Sequence, residues 1–427
     1  MTHAEPAPLP EPQKPMVPPV PGTVEETDLE FGFLADLALK TVYTDANCTT
    51  ERVAEKLRLP MPVTDSCLLH LYREKFIEIR GAEGVGNRRY GMLDRGWERA
   101  HRLLDMSGYI GPAPVSLSAY TAMSQAQEEV RPPVKPGAVR AALGHLVLPE
   151  RTLRTLGLVV SSRRSLFMTG PPGTGKTSIA KSLHGALRGD YWIPYALEVD
   201  GQIIKMFDSH NHEPVPTTDL GPHDRRWLRI KRPLVIVGGE LTIETMDLVY
   251  SQTVRFYEAS FQMKANGGTL VIDDFGRQRV DPRDLLNRWI IPLEGRVDYL
   301  TLHTGKKIQV PFEQMLVFAT NLNPADLVDD AFLRRMGYRL RVDPPTPESY
   351  ALIFQRYVEG QGLRYEPRLV ERLLGWYGHE QRPMSACEPR DLVERCLDIC
   401  RYENQAPALS AELLEVAWAN YFGSAPV

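Results

Sequence analysis

Apolar residues recur along this chain with changing period, and each change marks an element. FGFLADLALKTVY, 31–43, carries them at helical spacing. TERVAEKLRL follows, with Thr49 or Thr50 placed to cap it, and PVTDSCLLHLYREK makes a third helical run. FIEIRG and RRYGML then read as two short strands joined by the glycine-rich AEGVGN, and DRGWERAHRLLD closes the group as a helix. Beyond the proline-rich VRPPVKPG, 130–137, apolar strand runs alternate with helices to about residue 345. The last stretch, 346–425, is helical: TPESYALIFQRYVEG, PRLVERLLGWYG, EPRDLVERCLDICRYE and SAELLEVAWANYF. The pattern predicts an α/β chain flanked by two small helical units.

A length of 427 residues fits two or three domains. Residues 1–27 are rich in proline and poor in large apolar groups, which predicts a disordered tail. The expected divisions are 28–110, a linker over 111–137, an α/β core over 138–345 and a helical lid over 346–427. A net charge of −4 excludes a protein that simply coats nucleic acid. No run of about twenty apolar residues predicts a membrane span, and the amino-terminal stretch lacks the apolar core of a signal peptide, so the expected compartment is the cytoplasm. Cysteines 48, 67, 387, 396 and 400 form no CxxC pair, so neither zinc nor a disulfide framework is expected. Cys396 and Cys400, one helical turn apart, are read as a buried helix face. Asp208, His210 and His212 could be drawn as a metal cluster, but a turn-rich solvated loop is the expected reading.

Three helices, a two-stranded wing and a closing helix over 28–110 resemble a winged-helix domain. Residues 28–105 carry 12 Lys/Arg against 13 Asp/Glu, so the unit is not basic. Its third helix bears Leu68, Leu69 and Leu71, with Arg73 and Lys75 only at its end. Arg88 and Arg89 in the wing could touch phosphate. Phosphate neutralisation supplies most DNA affinity. A protein-interaction adaptor is therefore preferred, with DNA binding as the alternative.

The chemistry concentrates in SLFMTGPPGTGKTS, 165–178, an apolar strand followed by G-x-x-x-x-G-K-T and a helix. Gly170, Pro171, Pro172, Gly173, Thr174 and Gly175 form the loop, and its glycines let backbone N–H groups turn inward as an anion nest. Lys176 places a charge on the β- and γ-phosphates, Thr177 offers a hydroxyl to Mg²⁺, and Ser178 continues the helix whose N-terminus favours anions. Downstream, the strand GGTLVIDDF ends in Asp273, placed to hold Mg²⁺, and Asp274, placed to orient the attacking water. A third strand, MLVFATN, ends in Asn321. Its amide reaches the γ-phosphate or the water if that strand sits between the other two.

GPPGTGKT, LVIDDF and FATN together resemble the Walker A, Walker B and sensor-1 segments of the AAA+ ATPases. DDAFLRRM resembles the arginine-finger segment, and CEPRDLVERC the sensor-2 helix of the lid, with Arg390 as the sensor. The order and spacing match over roughly 138–425. Within the class the chain looks most like MoxR-type and related helix-2-insert ATPases. The resemblance implies a P-loop sheet, ATP and Mg²⁺ as ligands, ATP hydrolysis, and a homo-oligomeric ring, usually a hexamer. It also implies a finger acting on the neighbouring subunit's ATP, with Arg335 favoured over Arg334. A ring-forming remodeller, chaperone or assembly factor acting on a protein client is the implied role. An ATP-dependent regulator with a DNA-binding module and a nucleotide-gated scaffold of very slow turnover are the alternatives. GGELTIETMDL, 238–248, is either a mobile pore-facing loop that grips a client or a plain connector. Asp274 departs from the family's usual glutamate by one methylene, which puts the rate in doubt.

Overall fold

The computed structural model describes residues 16–45, 48–84, 86–327 and 330–424, without the side chains of residues 325, 330 and 331. The amino-terminal unit follows the periodicity of its sequence. Helices α1 (Phe31–Thr44), α2 (Thr50–Leu57) and α3 (Met61–Arg73) precede the antiparallel hairpin of β1 (Ile77–Ala82) and β2 (Arg88–Met92), and α4 (Asp94–Met106) closes it. The Thr49 hydroxyl caps α2 by accepting from Arg52 N. Leu34, Leu37, Val53, Leu57, Leu68 and Tyr90 fill the core.

Two expectations fail next to this unit. The stretch 111–137, expected as a linker, contains strand β3 (Val115–Ser116), helix α5 (Leu117–Glu129) and the start of helix α6 (Pro136–Leu143). Tyr120, Ser124 and Gln127 share the buried face of α5. The Gln127 amide both donates to Trp192 O and accepts from Trp192 N, at 3.1 and 2.6 Å. Two of those three side chains are polar, so the helix shows little apolar periodicity. Residues 16–27, expected as part of a disordered tail, are tied down by their backbone carbonyls. Met16 O accepts from Trp192 Nε1, Pro18 O from Asp224 N, and Thr27 O from the buried Arg226, at 3.0, 2.9 and 2.9 Å. Carbonyls leave no trace in side-chain composition. Residues 1–15 lie outside the described residues.

The core opens with helix α7 (Glu150–Ser162), strand β4 (Leu166–Thr169) and helix α8 (Lys176–His184). Strands β5 (Asp190–Pro194), β6 (Ala196–Val199), β7 (Gln202–Lys205), β8 (Trp227–Lys231) and β9 (Leu234–Val237) follow. Then come β10 (Val249–Ser251), β11 (Phe256–Glu258), helix α9 (Phe261–Lys264), β12 (Thr269–Ile272) and helix α10 (Pro282–Gly295). Strands β13 (Val297–Thr301), β14 (Lys307–Pro311) and β15 (Met315–Thr320), helices α11 (Pro324–Leu327) and α12 (Asp330–Arg335), and strand β16 (Tyr338–Arg341) complete it.

The main sheet has the order β16-β4-β15-β12-β9 and every pair in it is parallel. Alternate residues face opposite layers. Val271 and Val317 pack with Leu156, Val160 and Ile179 of α7 and α8. Leu270, Ile272 and Phe318 pack with Leu285 and Trp289 of α10. Such burial on both faces explains why these strands read as unbroken apolar runs.

A second sheet, β10-β11-β7-β6-β3, draws its strands from three separate excursions of the chain. Ala196 of β6 and Ile203 of β7 enter the core of the amino-terminal unit, so that unit and the second sheet share one interior. The lid is built from α13 (Pro347–Gly360), α14 (Pro367–His379), α15 (Glu388–Tyr402) and α16 (Ala411–Phe422). Tyr350, Phe354, Leu373, Leu392 and Trp418 form its core, and Cys396 and Cys400 are buried. Among the described residues no helix is long and apolar enough to cross a membrane.

Candidate active site

The loop after β4 is shaped by its glycines. Gly170 has φ +150°, and a Cβ there would fall 2.1 Å from Val342 O. Gly173 has φ +77°; its carbonyl accepts from Cys387 N of the lid at 3.1 Å. Thr174 Oγ1 donates to Pro171 O at 2.9 Å, tightening the turn. Lys176 opens α8 and is 9 % exposed. Its Nζ donates to the carbonyls of Gly170 and Pro171 at 2.9 and 2.8 Å. Burial lowers the Lys176 pKa, while Asp274 and Asp273 pull it back up. Pro171, Pro172 and Ser178 are exposed around this centre.

Thr177 Oγ1 donates to Asp273 Oδ2 at 2.8 Å, joining the first turn of α8 to the end of β12. The strand stops at Ile272, and Asp274 lies in the left-handed region with φ +47°. Asp273 Oδ1 accepts from Asp274 N at 3.1 Å, inside this turn. Two bonds bind the turn to β15: Phe275 N donates to Ala319 O at 2.8 Å, and Thr320 Oγ1 donates to Phe275 O at 2.7 Å. Strand β15 does lie between β4 and β12, the placement on which the role of Asn321 depended. The Asn321 Oδ1 is buried and has no hydrogen-bond partner among the described residues. Lys176, Thr177, Asp273 and Asn321 therefore meet at the carboxyl ends of three adjacent strands, where open α/β sheets bind ligands. The core is a P-loop α/β fold.

The arginines lie elsewhere. Tyr338 N donates to Ser165 O, so α12 ends beside the amino end of β4. Arg334 and Arg335 thus sit at the opposite end of the sheet from their own phosphate loop. Both are exposed, and Arg335 Nε donates to Glu294 Oε1 of α10 at 2.6 Å. Arg390 is exposed and forks onto Asp391 Oδ1 at 2.9 and 2.8 Å. Its helix nevertheless begins beside the Cys387 contact with Gly173, so the lid brings it near the loop.

Two further expectations meet the structure. In 238–248, Leu241 and Met246 are buried in the main core, which leaves Ile243 and Glu244 to face outward. Its ends are held too, since Asp247 Oδ1 accepts from Thr301 N at 2.9 Å. The loop is an anchored turn. The loop of Asp208, His210 and His212, expected to be solvated, instead buries His212, whose Nδ1 accepts from Asp208 N and Nε2 donates to Lys264 O, at 3.1 and 2.9 Å. Burial lowers the His212 pKa, in keeping with a neutral ring. Among the described residues no group of three or more possible ligands gathers.

Sequence reasoning missed two supports. The Gln278 amide accepts from Gly276 N and donates to Asp273 O and Gly238 O, at 2.8, 3.1 and 3.3 Å, clamping the turn after β12. Glu388, its carboxyl pKa raised by burial, accepts from Tyr377 Oη and Ser385 N and shapes the lid segment that touches Gly173. No sequence signal marks a glutamine in such a turn. An acid at the start of a predicted helix was the available hint for Glu388.

Comparison with known proteins adds little. A family model described only as a domain of unknown function, DUF8689, matches residues 346–420, the lid. No curated protein matches the chain. Among solved structures, NtrX from Brucella abortus in complex with ATP aligns at 16% identity and TM-score 0.38, over 64% of this chain and 61% of that one. The same protein in complex with ADP gives 16% and 0.41, over 78% and 62%. The Thermotoga maritima RuvB Holliday junction branch migration motor gives 13% and 0.37, over 64% and 69%. The chain thus spans about three fifths of the length of the NtrX chains. Alignments this loose carry no functional weight, and the fold rests on the strand order and the loop geometry.

Proposed function

We propose that the protein binds ATP with Mg²⁺ in this loop and hydrolyses it, as an AAA+ machine whose copies form a ring around or against a protein client. The observation that carries the reading is the convergence of Lys176, the Thr177–Asp273 pair and the unpartnered amide oxygen of Asn321 on one point. A buried amide oxygen without a partner is costly, and a water held beside a bound nucleotide is a natural completion. Thr177 and Asp273 are the oxygen donors a Mg²⁺ ion needs. The ion supplies charge neutralisation along the phosphates. Lys176 then turns from the loop's carbonyls to the phosphates, Asp274 orients the attacking water, and Asn321 holds its position.

Arg335 serves a neighbour in this reading, because its own loop lies at the far end of the sheet. Its bond to Glu294 holds the guanidinium at the surface until a neighbour's phosphates compete for it. Head-to-tail use of that kind closes rings, and six copies is the number the resemblance implies. Strand excursions before β12 support the helix-2-insert placement. The amino-terminal unit, with three helices, a hairpin and a closing helix, is read as a winged helix and as the partner-docking element. Arg88 is engaged by Asp65 at 2.8 Å and Arg89 by Glu83, so the wing offers little free charge to DNA. The exposed tip of 238–248 is a second candidate contact for a client.

The deciding experiment is nucleotide binding and turnover by the purified chain beside Lys176→Ala. Saturable Mg-dependent ATP binding that the substitution removes, with phosphate release above background, supports the reading. Binding without release in any oligomeric state would leave the nucleotide-gated scaffold.

A further inference from the structure

The amino end of the main sheet holds a niche that ATP binding does not use. It lies between the last turns of α10 and α12 and the first residues of β4, β15 and β16, with a volume of about 510 Å³. Five arginines line it, Arg163, Arg164, Arg296, Arg334 and Arg335, with one carboxylate in the lining, Glu294, and a second, Glu128, paired with Arg163 from behind. Glu294 is engaged by Arg335. Arg296 donates to Arg163 O, a backbone carbonyl, at 2.9 Å. Among the described residues neither Arg164 nor Arg334 forms an ion pair.

Gln314, the residue before β15, also lines the niche and is 1 % exposed. Neither its Oε1 nor its Nε2 has a hydrogen-bond partner among the described residues, and the Nε of buried Arg163 is likewise unpartnered. An amide buried with both ends unpaired is destabilising, and an apolar side chain of similar shape would sit there at lower cost. Its presence, under a cluster of guanidinium groups, makes physical sense where a bound anion accepts from Nε2 and a guanidinium turned toward that anion donates to Oε1.

We infer that this niche is a second anion site, built for the phosphate groups of a soluble oligophosphate and separated from the phosphate loop by the length of the sheet. Guanidinium groups fork onto phosphate oxygens in pairs, and the Gln314 Nε2–H adds a neutral donor beneath them. Several phosphates, rather than one, match the three arginines, Arg164, Arg296 and Arg334, that lack a carboxylate partner among the described residues. An occupant would compete with Glu294 for Arg335 and so tune the contact between copies. That link to turnover rests on the role proposed for Arg335, whereas the site itself does not.

The test uses inorganic tripolyphosphate as the probe and full-length Lys176→Ala protein, in which the phosphate loop is disabled. Calorimetry at low salt should show saturable binding of one probe per chain. Adding Arg164→Ala or Gln314→Leu should weaken it by about 10-fold or more, the loss of one charge-assisted bond. Gln314→Leu should leave the melting temperature unchanged or raised, which a merely structural glutamine would not do. Absence of saturable binding to the Lys176→Ala protein, or binding that neither niche substitution alters, overturns the site. Binding confined to the assembled oligomer overturns it as well, because the phosphates would then be those of a neighbour's nucleotide. Arg164 is exposed, so Arg164→Ala keeps the test open if Gln314→Leu fails to fold.

Discussion

The two ends of the main sheet solve opposite problems. At the carboxyl end the polar groups mostly satisfy one another: Thr177 bonds Asp273, Lys176 bonds the loop, and the turn after β12 is bound to β15. At the amino end positive charge accumulates, and a buried amide stays unpaired. The first end is spelled by glycines and a fixed spacing, because so tight a backbone turn leaves few sequence solutions. The second is assembled from residues 163, 296, 314 and 334, which no local pattern connects. The carboxyl end is therefore legible in one dimension and the amino end only in three.

The largest expected effect falls on the carboxyl end. Lys176→Ala should weaken ATP binding by roughly 10²-fold or more, since a desolvated charge–phosphate contact is among the strongest single polar interactions. Isothermal calorimetry with Mg-ATP reads it directly. Unchanged affinity would remove the ATP site from this end altogether.

Asp274→Asn comes next. Affinity should hold, because the carboxylate acts on water, while turnover falls by roughly 10²-fold, the contribution of a positioned base. Asparagine tolerates the left-handed backbone as well as aspartate does, so a turnover loss cannot be blamed on the turn. Equal turnover in the two proteins would place the base elsewhere.

In the proposed ring, the arginine pair couples the two ends across copies. Arg335→Ala should bind ATP normally yet lose most turnover, and mixing it with Lys176→Ala protein should restore part of it. In the mixture an intact loop on one copy meets an intact arginine on another. A mixture no faster than the sum of its parts would argue against action between copies. A larger loss in Arg334→Ala would show that Arg334, which lacks the Glu294 bond, is the finger.

Legibility also failed outside the sheet, and for related reasons. The helices and strands over 31–106 follow apolar periods that survive in the sequence. The order of the glycine-rich loop, the Asp273 turn and Asn321 is readable because each follows an apolar strand. Residues 111–137 read as a linker in the sequence because α5 is held by Tyr120, Ser124 and Gln127, whose bonds are made to distant partners. The strap over 16–27 was missed because carbonyls hold it. Tyr120→Ala tests that correction. It should cost about 3 kcal/mol in denaturant unfolding, the usual range for truncating a buried aromatic, and it leaves Asn266 Nδ2 without the Tyr120 Oη it now bonds at 2.7 Å. A change within about 0.5 kcal/mol, the size of ordinary surface substitutions, would return α5 to the status of a loose connector.

The smallest effect separates two accounts of Asp274. If the short acid is a weakened copy of the usual glutamate, Asp274→Glu should speed turnover. The backbone argues otherwise. Asp274 lies at φ +47°, in a turn fixed by Phe275 N, Arg277 N and the Gln278 amide. Aspartate and asparagine enter that region readily, whereas a longer side chain pays about 1 kcal/mol. The turn has thus adjusted to the shorter residue, and glutamate would both strain it and push the carboxylate by about one bond, a displacement near 1 Å that can cost roughly 10²-fold when geometry is tight. Because exposure lets the side chain relax, the expected loss is smaller, a few-fold in turnover with ATP affinity unchanged. Single-turnover phosphate release measured on Asp274→Glu beside the parent decides the matter. A faster variant would show that the left-handed turn is incidental and that the amino end, with its arginines, sets the rate.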